Sequence, residues 1–424
     1  MEHLLFAAYL ILFAWLVTKT KFFTASGLTT PQLVIIFLLK VMAGILYGWI
    51  GVYYGEMAQM VDTWGYHYES IKEWKLLMTD PQLFFTNIFH NGYNDGYTKF
   101  FAAENSWWND LKGTFFVKAL AIMNVGSQGN YYVNVIFYSF ISMFGPIALY
   151  RVMNDVFPAK KLPILLSTFL VPSVLYWTSG VHKDGVIFVG LAFVIYHMYF
   201  GLKENRFSFL RILSILLGLV LVLALRNFMI IPVLPALFAW VLASKLKYRP
   251  VLVFAAVYVL FILVFFTAKF LHPRLNMPEE VVARQEAFLG LGGGSAVAVE
   301  KLEPTFPSFV ANAPQAFALS TIRPYPSDVK HLLSLAAAIE INFLLLLFVA
   351  FLFWRTNGKP MSPFLAFCLF FSFSVLMMIG YSVNILGAIV RYRSIVLSLL
   401  VIPMVAKTDW SRIGRLIFGN INNK

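Results

Sequence analysis

A polar stretch near residue 62 carries the side chains best suited to acid–base chemistry. Asp62, Tyr66, Glu69 and Glu73 are spaced i, i+4, i+7 and i+11, which places them along one face of a helix. Either these acids face water without a further role, or one of them, Asp62 with Glu69 as the alternative, accepts a proton from a substrate hydroxyl. Tyr66 and its neighbour His67 are then candidate substrate contacts.

A second cluster of ionisable groups lies in residues 172–185, where aromatic, hydroxyl and glycine residues surround His182, Lys183 and Asp184. Asp184 can cap a helix that begins beside it. The N–H groups at the start of that helix, together with Lys183 and His182, form a candidate phosphate site. The alternative is a tight turn with a capping acid and a lysine directed to solvent.

Three arginines lie within or beside strongly apolar segments. They are Arg226, between two such segments, and Arg391 and Arg393, near the start of the last one. An arginine at membrane depth costs about 2.5–3.5 kcal/mol, so it needs a partner or a water-filled cavity. One explanation is a salt bridge to Glu340 or Glu56, and the other is a guanidinium fork that binds phosphate. The last two arginines are two positions apart, so they point to different sides of a helix.

A proline-rich motif, R-P-Y-P, begins at Arg323 and contains Tyr325. It either returns the chain rigidly into the next apolar segment or offers one cation and a ring on which a sugar or lipid head group stacks. Three glycines at 292–294 predict a hinge upstream of it. The surrounding loop, residues 271–331, is long enough to act as a lid over a site.

The composition identifies the environment in which these residues act. The chain has 424 residues, of which 60% are hydrophobic and 12% charged, and its mean hydropathy is +0.75. Soluble domains are about 45–50% apolar and about 25% charged, so a cytosolic globular protein is excluded. The sequence predicts an all-α, polytopic helical membrane protein in which residues 1–424 form a single membrane domain.

Eleven apolar stretches are predicted to cross a hydrocarbon core about 30 Å thick as helices. They comprise residues 3–17, 34–54, 131–150, 162–177, 185–200, 212–225, 228–246, 251–270, 332–354, 364–381 and 386–406. The two stretches beside Arg226 could instead be broken helices that meet below the surface. Residues 113–126 could form a partial span, and Asp80-Pro81 is expected to end the helix that contains Asp62.

The positions of the basic residues predict the orientation. Seventeen of the 33 lysines and arginines lie at short loops or in the C-terminal tail, all on one side of the predicted spans. By the positive-inside rule that side is the cytoplasm, so the N-terminus is outside and the C-terminus cytoplasmic. The two long loops are then external: residues 55–130, with interfacial helices, and residues 271–331. The net charge of +13 is therefore mostly a topology signal, and no motif indicates nucleic-acid binding.

The order of these features resembles that of bacterial envelope glycosyltransferases of the GT-C type and of related exopolysaccharide and O-antigen polymerases. The matching elements are the acid after an early span, the turn PSVLYWTSGVHKDG, the arginine after an apolar run, the RPYP loop end and NILGAIVRYR in the last span. The resemblance implies a polyprenyl-(pyro)phosphate sugar donor used at the outer face. It also implies that Asp62 is the catalytic acid and that Arg226, Arg391 and Arg393 hold the lipid pyrophosphate. Asp62 lacks a second acid beside it, which favours the polymerase-like branch over a metal-dependent glycosyltransferase.

We therefore expect an enzyme of the bacterial cytoplasmic membrane that transfers or polymerises sugar units for envelope polysaccharide or glycoconjugate synthesis. Its expected partners are a polyprenyl-linked donor, a saccharide or lipid-linked acceptor, membrane lipids and envelope-assembly proteins, with no nucleic acid. No cofactor and no metal-ligating residues are predicted, although a divalent cation remains open. The alternatives are a transporter or flippase for a lipid-linked or anionic substrate, and a scaffold subunit of an envelope assembly.

Overall fold

The structure is a computed structural model that describes residues 2–53, 62–87, 107–356 and 360–418. The described residues are helical and contain no β-strand, which confirms the predicted all-α class. Glu56, one of the two acids expected to pair with an arginine, lies outside the described residues.

The described helices are numbered here in chain order. The first ten are α1 Glu2–Lys19, α2 Lys21–Thr24, α3 Thr30–Tyr53, α4 Asp62–Thr79, α5 Pro81–Thr86, α6 Trp107–Ser127, α7 Tyr131–Val156, α8 Lys161–Phe169, α9 Pro172–Ser179 and α10 Lys183–Lys203. The others are α11 Phe209–Leu225, α12 Ile230–Lys245, α13 Pro250–Thr267, α14 Met277–Gly290, α15 Phe306–Thr321, α16 Leu332–Phe353, α17 Pro363–Ser382, α18 Leu386–Lys407 and α19 Trp410–Phe418.

Nine helical segments in the described part of the chain are long and apolar enough to cross a membrane. They are α1, α3, α7, α10, α12 with the 3-10 turn before it, α13 with the 3-10 turn after it, α16, α17 and α18. These segments confirm a multi-pass helical membrane protein.

Two of the eleven predicted spans have a different form. Residues 162–177 are split into α8 and α9, which are bent by 52° at a short break. Pro172 explains the break, because proline lacks an N–H donor and disfavours the helical conformation of the residue before it. The other exception, α11, has 17 residues and is therefore about 25 Å long, slightly short of a full crossing.

The chain divides into two compact units. The first unit contains Met1–Arg151, Leu175–Gly201 and Arg206–Phe228. The second unit contains Val152–Val174, Leu202–Asn205 and Met229–Lys424. The boundary at Val174/Leu175 falls inside α9, a few residues before His182. The boundary at Phe228/Met229 falls two residues after Arg226.

In the first unit, α4 is fixed by polar contacts to α6. Lys118 on α6 lies 2.8 Å from the Glu73 carboxylate, and the Asn124 side chain donates to Ser70 Oγ at 3.0 Å. The helix ends at Thr79, and the Asp80 side chain accepts the N–H of Leu83 at 2.9 Å, which caps α5. The predicted end of this helix at Asp80-Pro81 is therefore confirmed.

In the second unit, α17 packs against α12, α15 and α18. Aromatic rings fill part of this core, with Trp240 and Phe367 stacked at 4.6 Å between centroids. The long loop before α16 contains helices α14 and α15, and Phe309 on α15 packs with Phe265, Phe266 and Tyr381. This part of the expected lid is therefore anchored to the membrane helices through aromatic contacts.

We predict that Gly380→Ala destabilises the second unit. A Cβ atom at Gly380 on α17 would overlap the backbone carbonyl of Ala316 on α15, and backbone cannot move aside as a flexible side chain can. We expect a loss of about 1–3 kcal/mol and a lower midpoint of thermal unfolding in detergent.

The matched control is Gly290→Ala, because a Cβ atom there would meet no atom within 4 Å. This control should unfold at the wild-type temperature or slightly above it. Equal unfolding temperatures for the two variants would contradict the close approach of α15 and α17.

Candidate functional site

Four charged or ionisable side chains of the first unit form a continuous chain. His182 Nε2 lies 3.4 Å from Asp62 Oδ2, and His182 Nδ1 lies 3.0 Å from Asp184 Oδ2. The second oxygen of Asp184 accepts a hydrogen bond from the Arg226 guanidinium. Residues from the start of α4, the turn before α10, the first turn of α10 and the end of α11 are thus brought together.

These four side chains differ sharply in exposure. The Asp62 side chain is 53% exposed, whereas the His182, Asp184 and Arg226 side chains are buried. Burying one carboxylate or guanidinium alone would cost several kcal/mol, and the Asp184–Arg226 pair offsets this cost by placing opposite charges in contact. The chain therefore connects an acid at the solvent-exposed surface to a compensated ion pair in the interior.

The arrangement around His182 suits proton transfer. Its Nδ1 contacts the Asp184 carboxylate, with the backbone N–H of Asp184 also 3.4 Å away, while its Nε2 faces Asp62. A carboxylate on one ring nitrogen holds the imidazole in a fixed orientation. A proton that reaches Asp62 can therefore pass to Nε2 of His182.

The turn that presents His182 is held by side chains from two other helices. Thr63 Oγ1 on α4 donates to the carbonyl of Val181 at 2.8 Å, and the Tyr138 hydroxyl on α7 donates to the carbonyl of His182. Both contacts satisfy carbonyl groups that the break between α9 and α10 leaves outside a helix. The position of the imidazole is thus determined by α4 and α7 together.

Asp184 makes two contacts that the sequence did not predict. The sequence predicted a helix cap, and the structure shows that the buried carboxylate also contacts Arg226 and His182. Arg226 was expected to need an acid, and Glu340 and Glu56 were the candidates. The predicted topology made Asp184 a possible partner for Arg226, because both residues flank apolar helices at the same predicted membrane face. The spacing of the residues alone did not select this pair.

Two further predicted site residues, Tyr66 and Lys183, lie close to each other, and Tyr66 lies beside the imidazole. The Tyr66 ring is 5.4 Å from the His182 ring and 5.2 Å from that of Phe116. Lys183 Nζ lies 5.3 Å from the centroid of the Tyr66 ring. Both side chains are half-buried.

His67 and Glu69 are on the same helix but take no part in this chain. His67 is buried against Trp64 and Tyr131, and burial lowers its pKa to about 4. It is therefore uncharged at neutral pH and provides no cation for a phosphate. Glu69 is exposed and pairs with Lys72 at 2.6 Å.

The other predicted site residues lie in the second unit. Arg393 is buried, and its guanidinium donates to the carbonyl oxygens of Arg323 at 2.7 Å and Ser320 at 3.5 Å. Glu340 accepts hydrogen bonds from the backbone N–H and hydroxyl of Ser173 at 3.2 and 2.9 Å and interacts electrostatically with Arg393. Arg391 is half-buried, so the two arginines of the last span differ in environment as their spacing predicted.

The R-P-Y-P motif forms a compact local structure. Arg323 Nε lies 3.2 Å from the Asp328 carboxylate, and its guanidinium lies 5.1 Å from the centroid of the Tyr325 ring. Tyr325 is partly exposed. The ring and cation expected to stack on a ligand are therefore stacked on each other. The predicted site residues thus form two groups, one in each unit.

No protein-family model matches this chain, and no curated protein or solved structure is significantly similar to it. The resemblance to envelope glycosyltransferases and polymerases therefore stays a prediction. The site must be judged by its own geometry.

We predict that Asp184 and Arg226 are strongly coupled in stability. Asp184→Asn or Arg226→Met alone leaves one buried charge unpaired, and each should cost about 3–5 kcal/mol. The double variant removes both charges and should cost much less than the sum of the single variants. Thermal unfolding of the three variants in detergent measures the coupling.

The exposed pair Glu69–Lys72 provides the matched control. Glu69→Gln, Lys72→Met and the double variant should each stay within about 0.5 kcal/mol of the wild type, because exposed pairs are screened by water. Additive losses for Asp184 and Arg226 would show that the two side chains do not form a buried ion pair.

Proposed function

We propose that this protein transfers or polymerises sugar units from a polyprenyl-(pyro)phosphate-linked donor. The reaction is proposed for the outer face of the bacterial cytoplasmic membrane, in the synthesis of envelope polysaccharide or glycoconjugates. The observation that carries the proposal is the contact of the exposed Asp62 with the buried His182, which is backed by Asp184 and Arg226. A solvent-facing carboxylate with an oriented imidazole behind it is suited to deprotonating a hydroxyl.

In the proposed reaction an acceptor sugar hydroxyl attacks the anomeric carbon of the donor. The new glycosidic C–O bond forms as the bond from that carbon to the phosphate oxygen breaks. The hydroxyl proton passes to Asp62 and can move on to His182 Nε2, while the bonding electrons leave with the (pyro)phosphate. The donor was activated before it reached this site, so no nucleotide is required.

Negative charge grows on the departing (pyro)phosphate, so cations must lie near it. In the first unit we assign this role to Lys183, whose half-buried ammonium lies beside Tyr66, the ring of which contacts His182. Arg226 is assigned a supporting role, because its charge is compensated by Asp184. The other phosphate-binding candidates from the sequence, Arg323, Arg391 and Arg393, lie in the second unit.

The proposed topology has eleven spans, with the N-terminus outside and the C-terminus in the cytoplasm. The nine apolar helices support this number if the bent pair α8–α9 and the short α11 also cross. An odd number of crossings places the termini on opposite sides. The seventeen basic residues of the short loops and the tail then lie on the cytoplasmic side, and Asp62, His182 and Arg226 lie at the external ends of their segments.

Site-directed labelling tests this orientation. Single cysteines in residues 95–107 and 290–297, introduced into a variant that lacks Cys368, should react with a membrane-impermeant maleimide in intact cells. Cysteines in residues 159–161 and 411–424 should react only after the membrane is opened. Labelling of the two long loops from opposite sides would contradict the proposed topology and the external site with it.

A transporter or flippase for a lipid-linked or anionic substrate is the second candidate. The 52° bend between α8 and α9 favours it, because discontinuous helices bind substrates near the membrane midplane in many transporters. The two candidates differ in outcome: a glycosyltransferase makes a new glycosidic bond, whereas a transporter returns its substrate unchanged.

We predict that Asp62→Asn abolishes sugar transfer without affecting folding. The amide has nearly the shape of the carboxylate but cannot accept the hydroxyl proton, and the side chain is half-exposed, so the substitution leaves no buried charge unpaired. Turnover of a radiolabelled lipid-linked donor in liposomes should fall by about 10²–10⁴-fold. Membrane levels and unfolding temperature should stay at wild-type values.

Glu69→Gln is the matched control, since Glu69 is an exposed acid on the same helix and pairs with Lys72. It should retain wild-type turnover. Loss of turnover in Glu69→Gln with full turnover in Asp62→Asn would make Glu69 the base. Full turnover in both variants would contradict a carboxylate base on α4, and translocation of unchanged donor by the wild type would favour the transporter.

A further inference from the structure

Helix α3, an apolar membrane-spanning helix, contains a lysine whose ammonium is buried among uncharged oxygens. Lys40 is 2% exposed. Its Nζ lies 3.2 Å from the carbonyl oxygen of Thr178, 3.3 Å from Thr178 Oγ1 and 3.1 Å from Ser179 Oγ. In the part of the chain that the structure describes, no carboxylate lies within ion-pair distance of it.

The end of α9 provides three hydrogen-bond acceptors for this ammonium. Three oxygens match its three N–H donors, so each donor has an acceptor. One of these acceptors is the backbone carbonyl of Thr178 in the last turn of α9. The unpaired carbonyls at the end of a helix carry partial negative charge. Lys40 therefore caps the C-terminus of α9 from another helix.

The backbone of α3 lies unusually close to the same residues. Gly44 is one turn after Lys40, and a Cβ atom there would sit 2.7 Å from the carbonyl oxygen of Ser179. Glycine permits this approach because it has no side chain. Lys40 and Gly44 thus form one face of α3 that is fitted to residues 178–179.

The capped residues lead directly into the candidate site. His182 follows Ser179 by three positions, with the carbonyl of Val181 held by Thr63 and that of His182 held by Tyr138. Lys40 provides the corresponding contact at the start of the same turn. Three helices, α3, α4 and α7, therefore hold residues 178–182 through backbone or hydroxyl oxygens.

We infer that Lys40 is a positioning residue for His182. It holds the start of the turn, and the turn keeps the imidazole between Asp62 and Asp184. Lys40 itself contacts no reacting atom. The consequence for catalysis rests on the proposed function, whereas the effect on the placement of His182 does not.

The alternative is that Lys40 only stabilises the fold, and the two roles predict different results for Lys40→Met. Methionine has a similar length and no charge, so it removes the unfavourable insertion of an ammonium into an apolar span. We therefore expect Lys40→Met to reach the membrane at wild-type levels or above. Its defect should be confined to the turn that carries His182.

Chemical modification of histidines by diethylpyrocarbonate measures this defect without any assay of function. In the wild type His182 is fully buried and should react slowly. In the full-length Lys40→Met variant the rate of carbethoxylation at His182, followed by mass spectrometry, should rise by about tenfold or more through local opening. His67, buried in the same unit, should keep its wild-type rate.

Two further variants complete the experiment. Lys21→Met, at an exposed lysine of α2, should leave both rates unchanged. Lys40→Arg keeps donors for the carbonyl and hydroxyl oxygens and should restore much of the protection of His182. With the lipid-linked donor, Lys40→Met should lower kcat while leaving KM for the donor close to the wild-type value.

An unchanged rate of carbethoxylation at His182 in Lys40→Met would overturn the inference. An equal rise in rate at His182 and His67 would also overturn it, because it would indicate unfolding of the whole unit. A local rise at His182 supports the positioning role even if the wild type transfers no sugar. That combination would reject the proposed function and leave the inference standing. If Lys40→Met loses the protection of His182 but keeps the wild-type kcat, the position of His182 has no consequence for catalysis.

Discussion

The requirement that buried charges be compensated in an apolar chain determines how the first unit is arranged. Asp184 and Arg226 lie 42 positions apart in the sequence, on two different helices, and neither charge is stable alone in this interior. Their contact fixes the end of α11 against the start of α10. His182 is then oriented by the same carboxylate that binds Arg226. The same ion pair therefore joins two helices and orients the imidazole.

Three other buried charges, Lys40, Arg393 and Glu340, are compensated largely by uncharged polar groups. Lys40 is surrounded by carbonyl and hydroxyl oxygens, and Arg393 donates to two backbone carbonyls. Glu340 accepts from the N–H and hydroxyl of Ser173 near the start of α9. Breaks between helices offer such unpaired backbone groups, which regular helices do not. Charged residues and helix breaks therefore occur together in this protein.

The sequence predicted the local features of the site better than its long-range contacts. The helix at Asp62 and its end at Asp80-Pro81 follow from spacing and from proline chemistry, and both are confirmed. Hydrophobic stretches predicted most spans, but not the bend after α8, because a break of two residues does not interrupt an apolar run. The pairing of Arg226 with Asp184 could not be read from spacing, since it depends on which helices pack together. The role of Lys40 could not be predicted for the same reason, because its acceptors lie 138 and 139 positions away in the sequence.

The ion pair also changes how the charges around His182 are interpreted. A guanidinium bound to a carboxylate presents little net charge to an approaching phosphate, and dissolving the pair to bind one would leave Asp184 uncompensated. Arg226 is therefore better suited to holding the Asp184 carboxylate than to binding a donor. Lys183 follows His182 directly in the chain and is half-buried beside Tyr66. His182 and Lys183 are adjacent in the chain, so a single turn sets the position of both the imidazole and the ammonium.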